Sequence, residues 1–280
     1  MAELEATADR AIADLRRERV SLAGSRWERL HARLERRVDT EVVEYLDRDS
    51  HPASLKLRQI RWLHRQNVAL RSYHRFLRLL SPAVDDATRA RRGSPARLLE
   101  LGSGSGELAM ALARLAARTH MPVEITGSDI VPAYVDDANA RARAANVPAR
   151  FRVLNAFDLS NDLAPGDVDV AFIVQSIHHF SPGQLAMMIA QVGAAGARRF
   201  VGIDGRRGLL LLGGLPLICS LSLDPYFVHD AFVSMRRLYA DAELELIASI
   251  AAPRARISVR PDGPFISVLS VEYESQEAEK

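Results

Sequence analysis

The stretch Arg97-Leu-Leu-Glu-Leu-Gly-Ser-Gly-Ser-Gly-Glu-Leu-Ala-Met-Ala-Leu-Ala-Arg114 limits what this chain can fold into more than any other. It opens as a short apolar run, Leu98 to Leu101, interrupted by Glu100. It turns at Gly102, Gly104 and Gly106, then becomes helical, with Leu108, Ala111, Leu112 and Leu115 on one face. Strand, tight turn and helix in this order make the first unit of a nucleotide-binding α/β fold. Glycine has no Cβ, so the backbone can turn sharply and a ligand can lie against it. The helix start behind the turn offers free N–H groups to an anionic group.

The spacing of the glycines separates two ligands. A dinucleotide fingerprint needs G-x-G-x-x-G, with the backbone close to a pyrophosphate. Here the third glycine comes one residue early, and Glu107 stands where that motif has glycine. Glu100 at the strand end would repel a pyrophosphate, but it suits a ligand with an ammonium group and no phosphate. S-adenosylmethionine is such a ligand. The run Glu-x-Gly-x-Gly-x-Gly at 100–106 resembles the first motif of class I S-adenosylmethionine-dependent methyltransferases. The resemblance places Glu100, Gly102, Ser103, Gly104, Ser105 and Gly106 at the cofactor.

Downstream the chain alternates. Strands are expected at 98–101, 123–128, 149–154, 168–174 and 199–203, and helices at about 107–119, 133–145 and 182–195. This alternation argues for a parallel sheet with helices on both faces. The runs 255–260 and 265–273, joined by Pro261-Asp-Gly-Pro264, read as a hairpin. Upstream, residues 1–95 read as helical. Trp27, Leu30, Leu34, Val38, Val42 and Leu46 recur at helical spacing. A second helix is expected from about Ala53 to Leu80, ended by Ser81-Pro82. Residues 89–94 read as a linker. After the fifth strand come apolar helical residues 207–223, a loop, and a helix from about 240 to 251. The expected architecture is α/β and Rossmann-like. It has a helical N-terminal cap at 1–95 and a cofactor domain at 96–280 with a helical insertion at about 207–238. The family resemblance implies a central seven-stranded, mostly parallel sheet closed by the antiparallel hairpin.

Three strand ends carry candidate chemistry. Asp129 ends the second strand and can accept both hydroxyls of a ribose, with Ile130 packing on the base. Asn155-Ala156-Phe157 follows the third strand. In methyltransferases this position commonly holds Asp-Ala, facing the adenine amino group, and an amide carbonyl can accept the same hydrogen bond. Asp158 is a nearby acid out of register. Gln175-Ser-Ile-His178-His179-Phe follows the fourth strand. Ligands of open α/β sheets bind at the C-terminal strand ends, so Gln175 is expected beside the methyl donor. Either His178 or His179 is a candidate general base. No Asn-Pro-Pro-Tyr or Asp-Pro-Pro-Tyr follows the fourth strand, which argues against methylation of nucleic-acid or amide nitrogens. Clustered acids like those of catechol-type methyltransferases are absent from the sequence pattern, so no metal is expected.

Composition bounds the rest. The single cysteine, Cys219, excludes a disulfide framework, a zinc–cysteine cluster and a three-cysteine iron–sulfur site. The apolar run Leu209 to Leu223 is short and interrupted by Gly213, Gly214 and Pro216, so no membrane span is expected. A formal net charge of +2 leaves no nucleic-acid footprint from charge alone. The expected location is cytoplasmic. From about Glu44 onward the chain also resembles a bacterial group of small-molecule methyltransferases, loosely similar to the ubiquinone/menaquinone-biosynthesis type. Three further stretches carry that likeness: the helix around Ile60 to Arg75, Ile203-Asp-Gly-Arg-Arg207, and His229-Asp230 with the Ser234 to Leu244 run. By analogy with the group, Tyr73, Arg206, His229 and Asp230 lie on the substrate side.

The expected function is methyl transfer from S-adenosylmethionine to a small, largely apolar acceptor: aromatic, polyketide or quinone-like. Oxygen is slightly favoured over carbon as the methylated atom. The alternative is a macromolecular methyltransferase holding RNA or protein with its arginine-rich helices. The sequence leaves the oligomeric state open, a homodimer included.

Overall fold

The computed structural model describes residues 1–22, 40, 42, 44–45, 52–208, 219–221 and 223–274. Its centre is one seven-stranded sheet in the order β3-β2-β1-β4-β5-β7-β6. The strands are β1 (Ala96–Leu101), β2 (Val123–Asp129), β3 (Ala149–Val153), β4 (Val170–Val174), β5 (Arg199–Gly205), β6 (Arg256–Asp262) and β7 (Ile266–Glu272). β1 to β5 pair in parallel, and β7 runs antiparallel between β5 and β6. The mostly parallel sheet with its closing hairpin is the architecture expected from the sequence. The strand order reverses between β1 and β4, which opens a crevice above their C-terminal ends, the usual ligand position in such sheets.

The helices among the described residues are α1 (Ala2–Leu22), α2 (Ala53–Ala69), α3 (Ser72–Ala90), α4 (Glu107–Arg118), α5 (Pro132–Ala144), α6 (Leu159–Asp162), α7 (Pro182–Ala194), α8 (Pro225–Arg237) and α9 (Asp241–Ala251). Alternation along β1 sorts them into two layers. Leu98 joins a core with Phe76, Leu80 and Val84 of α3 and Met110 and Leu112 of α4. Leu99 and Leu101 join the opposite core, with Ala8 and Ile12 of α1, Leu185 and Ile189 of α7 and Ile247 of α9. β4 is buried along its whole length, as a central strand covered on both faces should be. Each Leu, Ile or Phe so buried stabilises the fold by about 1.5–3 kcal/mol. The N-terminal helices therefore do more than cover the sheet, since α1 and α3 each complete one of its helical layers.

The sequence reading differs from the fold in three places. The helix expected over 53–80 is two helices, broken at Arg71, whose φ is +53°. Ser81-Pro82 does not end α3, which runs on to Ala90 with Pro82 inside it. Proline lacks the N–H that would reach the Arg78 carbonyl. The Ser81 hydroxyl donates to that carbonyl instead, at 2.9 Å. The loop expected after residue 223 contains α8. Its start was readable, because Asp224 caps the helix by accepting from Tyr226 and Phe227 N–H, and Pro225 sits at the first helical position. Of the heptad-like series at 27–46, only Val42 belongs to the described residues, and 207–223 lies mostly outside them.

Candidate active site

The glycine turn lies at the mouth of the crevice. Gly102, Gly104 and Gly106 have φ of +62°, +51° and +75°, in the left-handed region that glycine enters without strain. The space a Cβ would take at Gly102 or Gly104 is open, whereas at Gly106 it would meet the Phe151 ring at 2.4 Å. The first two glycines thus leave room for a ligand, and the third lets α4 pack closely on the sheet. Asp129 stands opposite. Its Oδ2 accepts from Gly104 N–H at 2.8 Å and its Oδ1 from Val131 N–H at 3.0 Å. Two backbone donors fix this carboxylate, which keeps lone pairs for a pair of hydroxyls. Asp129 does not cap α5, whose cap position is Val131. Ile130 beside it is 62% exposed, a large apolar side chain open to a ring.

Glu100 is buried on the α3–α4 side of β1. Burial pushes its carboxyl up to about 8, against the stabilising backbone hydrogen bond from Ala109; the nearby charge of Asp129 pushes it further up. Its Oε2 and the Ser103 hydroxyl are buried without a protein partner. Such groups are costly unless something else satisfies them. Ser105 lies in the same turn and its carbonyl accepts from Arg141. The half-buried Asn155, Ala156 and Phe157 follow β3, where Asn155 Oδ1 accepts from Phe157 N–H at 3.0 Å. Asp158 is exposed and accepts from Asn161.

Beyond β4 the backbone enters a sparsely populated region at Gln175, φ +56°. A non-glycine residue there costs of order 1–2 kcal/mol and needs surrounding contacts to hold it. Gln175 N–H donates to Ile203 O at 2.8 Å, and its side-chain oxygen accepts from Asn67 of α2 at 2.8 Å. A one-turn 3₁₀ helix, Ile177–His179, follows. β5 lies beside β4, so Asp204 at its end reaches this turn. Asp204 Oδ2 accepts from His178 N–H at 3.0 Å and pairs with His178 Nδ1 at 2.8 Å. On the other side, His178 Nε2 lies 3.5 Å from Glu44 Oε1, and His179 Nε2 lies 4.0 Å from Glu44 Oε2. The Ser234 hydroxyl of α8 donates to Glu44 at 2.7 Å. Burial alone would lower the His178 pKa, but Asp204 and then Glu44 outweigh it and raise it to about 10. Burial likewise opposes ionisation of Asp204 and Glu44, and His178 outweighs it, leaving both carboxyls below their ordinary range.

A family model described as a methyltransferase domain matches residues 98–204, the span from β1 to Asp204. That span of the chain is similar to class I S-adenosylmethionine-dependent methyltransferases. Among its curated relatives is the ubiquinone biosynthesis O-methyltransferase of Xanthomonas campestris pv. campestris (strain B100). That protein is 32% identical over 115 residues, 41% of this chain and 45% of the relative. The match thus spans less than half of the relative's length. The fold is similar to that of the plantazolicin methyltransferase BpumL in complex with S-adenosylhomocysteine, with a TM-score of 0.57. The two chains are 12% identical, covering 86% of this chain and 97% of that one. The same enzyme with a monoazolic desmethylPZN analog gives a TM-score of 0.55 at 13% identity, covering 78% of this chain and 90% of that one. At such identities the likeness is one of fold.

The cofactor of such methyltransferases is S-adenosylmethionine, and the cradle fits it on three observations. The turn is open at Gly102 and Gly104, the Asp129 carboxylate is fixed by backbone, and two buried polar groups wait in Glu100 and Ser103. The residues expected on the acceptor side divide. Tyr73 is buried, with its hydroxyl 2.8 Å from His64 Nδ1, and burial followed by the nearby Glu107 charge pushes its phenol well above the usual range. Asp230 is buried. It lies inside α8 and accepts from Tyr45 N–H at 2.8 Å and from Gln59 Nε2 at 3.0 Å. Its Oδ1 also meets His229 Nδ1 at 3.1 Å, although neighbouring residues seldom face one another. Arg206 is engaged elsewhere: its Nε and Nη2 hold Asp241 at 2.9 and 2.8 Å, which ties α9 to the end of β5. Glu44, Asn67, Asp204 and Ser234 were not singled out for the site. Only Asp204 left a signal, as an acid ending the strand next to the histidines.

Proposed function

We propose that this chain transfers the methyl group of S-adenosylmethionine to an oxygen of a small, largely apolar acceptor. The observation that carries the reading is the covered cluster of Glu44, His178 and His179 at the end of β4, beside the cofactor cradle. In this reading Glu100, Gly102, Ser103, Gly104, Ser105 and Gly106 line the methionine and ribose, and Asp129 takes the ribose hydroxyls. Ile130, Asn155, Ala156 and Phe157 surround the adenine, and Gln175 borders the methyl donor. Tyr73, His229 and Asp230 face the acceptor from α3 and α8.

The reaction is an in-line displacement. A lone pair of the acceptor oxygen forms the new bond to the methyl carbon. The carbon–sulfur bond breaks with its electrons on sulfur, releasing S-adenosylhomocysteine. The hydroxyl proton passes to the histidine pair through His179, since Asp204 and Glu44 already favour the protonated form of His178. Alignment of oxygen with methyl supplies most of the acceleration. The ubiquinone O-methyltransferase relative supports oxygen and a quinol-like acceptor by its name.

The arginine-rich N-terminal helices weigh against a macromolecular substrate, because several of their arginines face acids of this chain. Arg16 holds Glu243, Arg58 holds Asp224, Arg75 and Arg78 hold Asp262, and Arg91 lies by Asp169. The test is transfer of a labelled methyl group to a panel of phenols, quinols and acidic-carbon acceptors, with total RNA and protein alongside. The reading expects label in a small phenolic or quinol product, found by mass spectrometry as an O-methyl ether. Label only in RNA, in protein or on carbon would overturn it.

A further inference from the structure

Glu44 and His178 make a contact that hydrogen bonding explains poorly. The imidazole is oriented by Asp204 at Nδ1, which aims Nε2 at the Glu44 carboxylate. A charge-assisted N–H···O bond between them would close to about 2.7–2.9 Å. The gap is instead 3.5 Å, and His179 Nε2 stands 4.0 Å from the other Glu44 oxygen. The two rings are tilted by only 31° with centroids 4.5 Å apart, so they present their edges side by side. One donor atom from each of the three residues falls within 4.8 Å of the other two. Ligands about 2.0–2.1 Å from a tetrahedral zinc ion lie roughly 3.4 Å from each other. The 3.5 Å from His178 to Glu44 is close to that spacing, and a small closure of His179 would complete it.

We propose that Glu44, His178 and His179 bind one divalent cation of the zinc type, with Asp204 and Ser234 holding the ligands in position. Two imidazoles and one carboxylate suit a borderline first-row ion, not magnesium or calcium, which prefer all-oxygen sets. Asp204 makes the contact that orients metal-bound histidines in general, accepting from the ring nitrogen away from the metal. Ser234 bonds Glu44 Oε1 and so fixes the carboxylate. Charge agrees as well. Asp204 and Glu44 bring two negative charges into a buried place, at 7% and 5% side-chain exposure. With both imidazoles neutral, a divalent ion balances them. The sequence pattern could not suggest this site, because Glu44 lies far from the histidines in the chain.

The site itself stands on geometry; only its use rests on the methyl-transfer reading. In that use the histidines bind the ion and no longer take the proton: the open coordination position takes the acceptor oxygen and makes its proton easier to lose to water, in place of the histidine step. The experiment uses the whole chain, stripped with chelator. Cobalt(II) is added while visible absorption is followed, and zinc binding is measured by calorimetry. S-adenosylhomocysteine binding serves as the check on folding. One equivalent of zinc is expected, with a cobalt spectrum of low coordination number. Glu44→Gln should weaken zinc by at least about a hundredfold, and Asp204→Asn by about 10–100-fold. If Glu44→Gln loses S-adenosylhomocysteine as well, His179→Gln replaces it, since that change spares the Asp204 contact. Zinc affinity equal in wild type and variants, or no binding in a protein that still holds S-adenosylhomocysteine, would overturn the cation site. It would leave the histidines as proton acceptors and the methyl-transfer reading intact.

Discussion

The two sides of the crevice are held together by different means. The cofactor side is backbone: three glycines in the left-handed region, N–H groups of Gly104 and Val131 on Asp129, and strand ends fixed by the parallel ladder. The acceptor side and the N-terminal helices are held by side chains reaching across the chain. Tyr45 N–H and Gln59 meet at Asp230, Asn67 meets Gln175, Arg58 meets Asp224, and Arg16 meets Glu243. Backbone constructions depend on a few residue types at fixed spacing. Side-chain constructions depend on charge, and so on pH and on single substitutions. The attachment of the N-terminal helices should therefore be the more sensitive of the two to single substitutions.

The largest effect is expected where α1 meets α9. Glu243 is fully buried and is faced by Arg16 of α1, by Arg207 after β5 and by the nearby Tyr239 phenol, while its Oε2 accepts from Ala240 N–H. Removing one partner of a buried ion network costs about 3–5 kcal/mol, because the remaining charges lose their counterpart. Glu243→Gln should lower unfolding stability by that amount in denaturant melts. Burial alone would raise the Glu243 pKa, but Arg207 and Arg16 outweigh it and hold it below the ordinary glutamate range. A depressed folded pKa means this stability is fully present above about 4.5 and is lost as pH falls below it. The wild type should therefore lose stability more steeply than Glu243→Gln in that acid window. Parallel pH dependence in the two proteins would show that Glu243 carries none of the acid sensitivity.

A smaller effect is expected on the cofactor side. Asp129→Ala removes an ionised acceptor that two backbone N–H groups hold in place. Hydrogen bonds to a charged group contribute about 1.5–3 kcal/mol each. Loss of two to the ribose should weaken S-adenosylhomocysteine by at least about a hundredfold in calorimetry. Unfolding stability should change far less than in Glu243→Gln, since Asp129 is half-buried and lies at a strand end. An affinity within a few fold of wild type would remove Asp129 from the cofactor site.

This contrast also explains what could be read from the chain before the fold was known. Glu100 to Gly106 is contiguous, and its backbone demands are written in residue types, so strand, turn and helix were legible in that order along the chain. Asp129 was legible because position after a strand is a local property. The break at Arg71 was not, since no proline or glycine marks it. Ser81-Pro82 misled because a side-chain hydroxyl took over the bond that proline cannot make. The meeting of Glu44 with His178 and His179 was invisible for another reason. Convergence of distant side chains is a product of packing, and no spacing rule records it.

The smallest predicted effect lies where the two constructions touch. Asn67 is 5% exposed on α2, and its Nδ2 donates to the Gln175 side chain at 2.8 Å. Gln175 is the residue at φ +56° after β4, so this bond helps keep a strained residue in place beside the cradle. The partner on one side is a helix of the cover, and on the other a turn of the sheet. Asn67→Ala deletes a donor and leaves the half-buried Gln175 oxygen without it, which costs about 0.5–1.5 kcal/mol. Part of that cost is recovered if the turn relaxes toward water. The expected result is a roughly tenfold loss in kcat/KM for whichever acceptor the labelling screen finds. S-adenosylhomocysteine affinity should move by less than about threefold, because the backbone contacts of the glycine turn remain. If affinity falls as far as in Asp129→Ala, the strained turn after β4 belongs to the cofactor side, and the boundary between the two constructions runs through α2 instead of along β4.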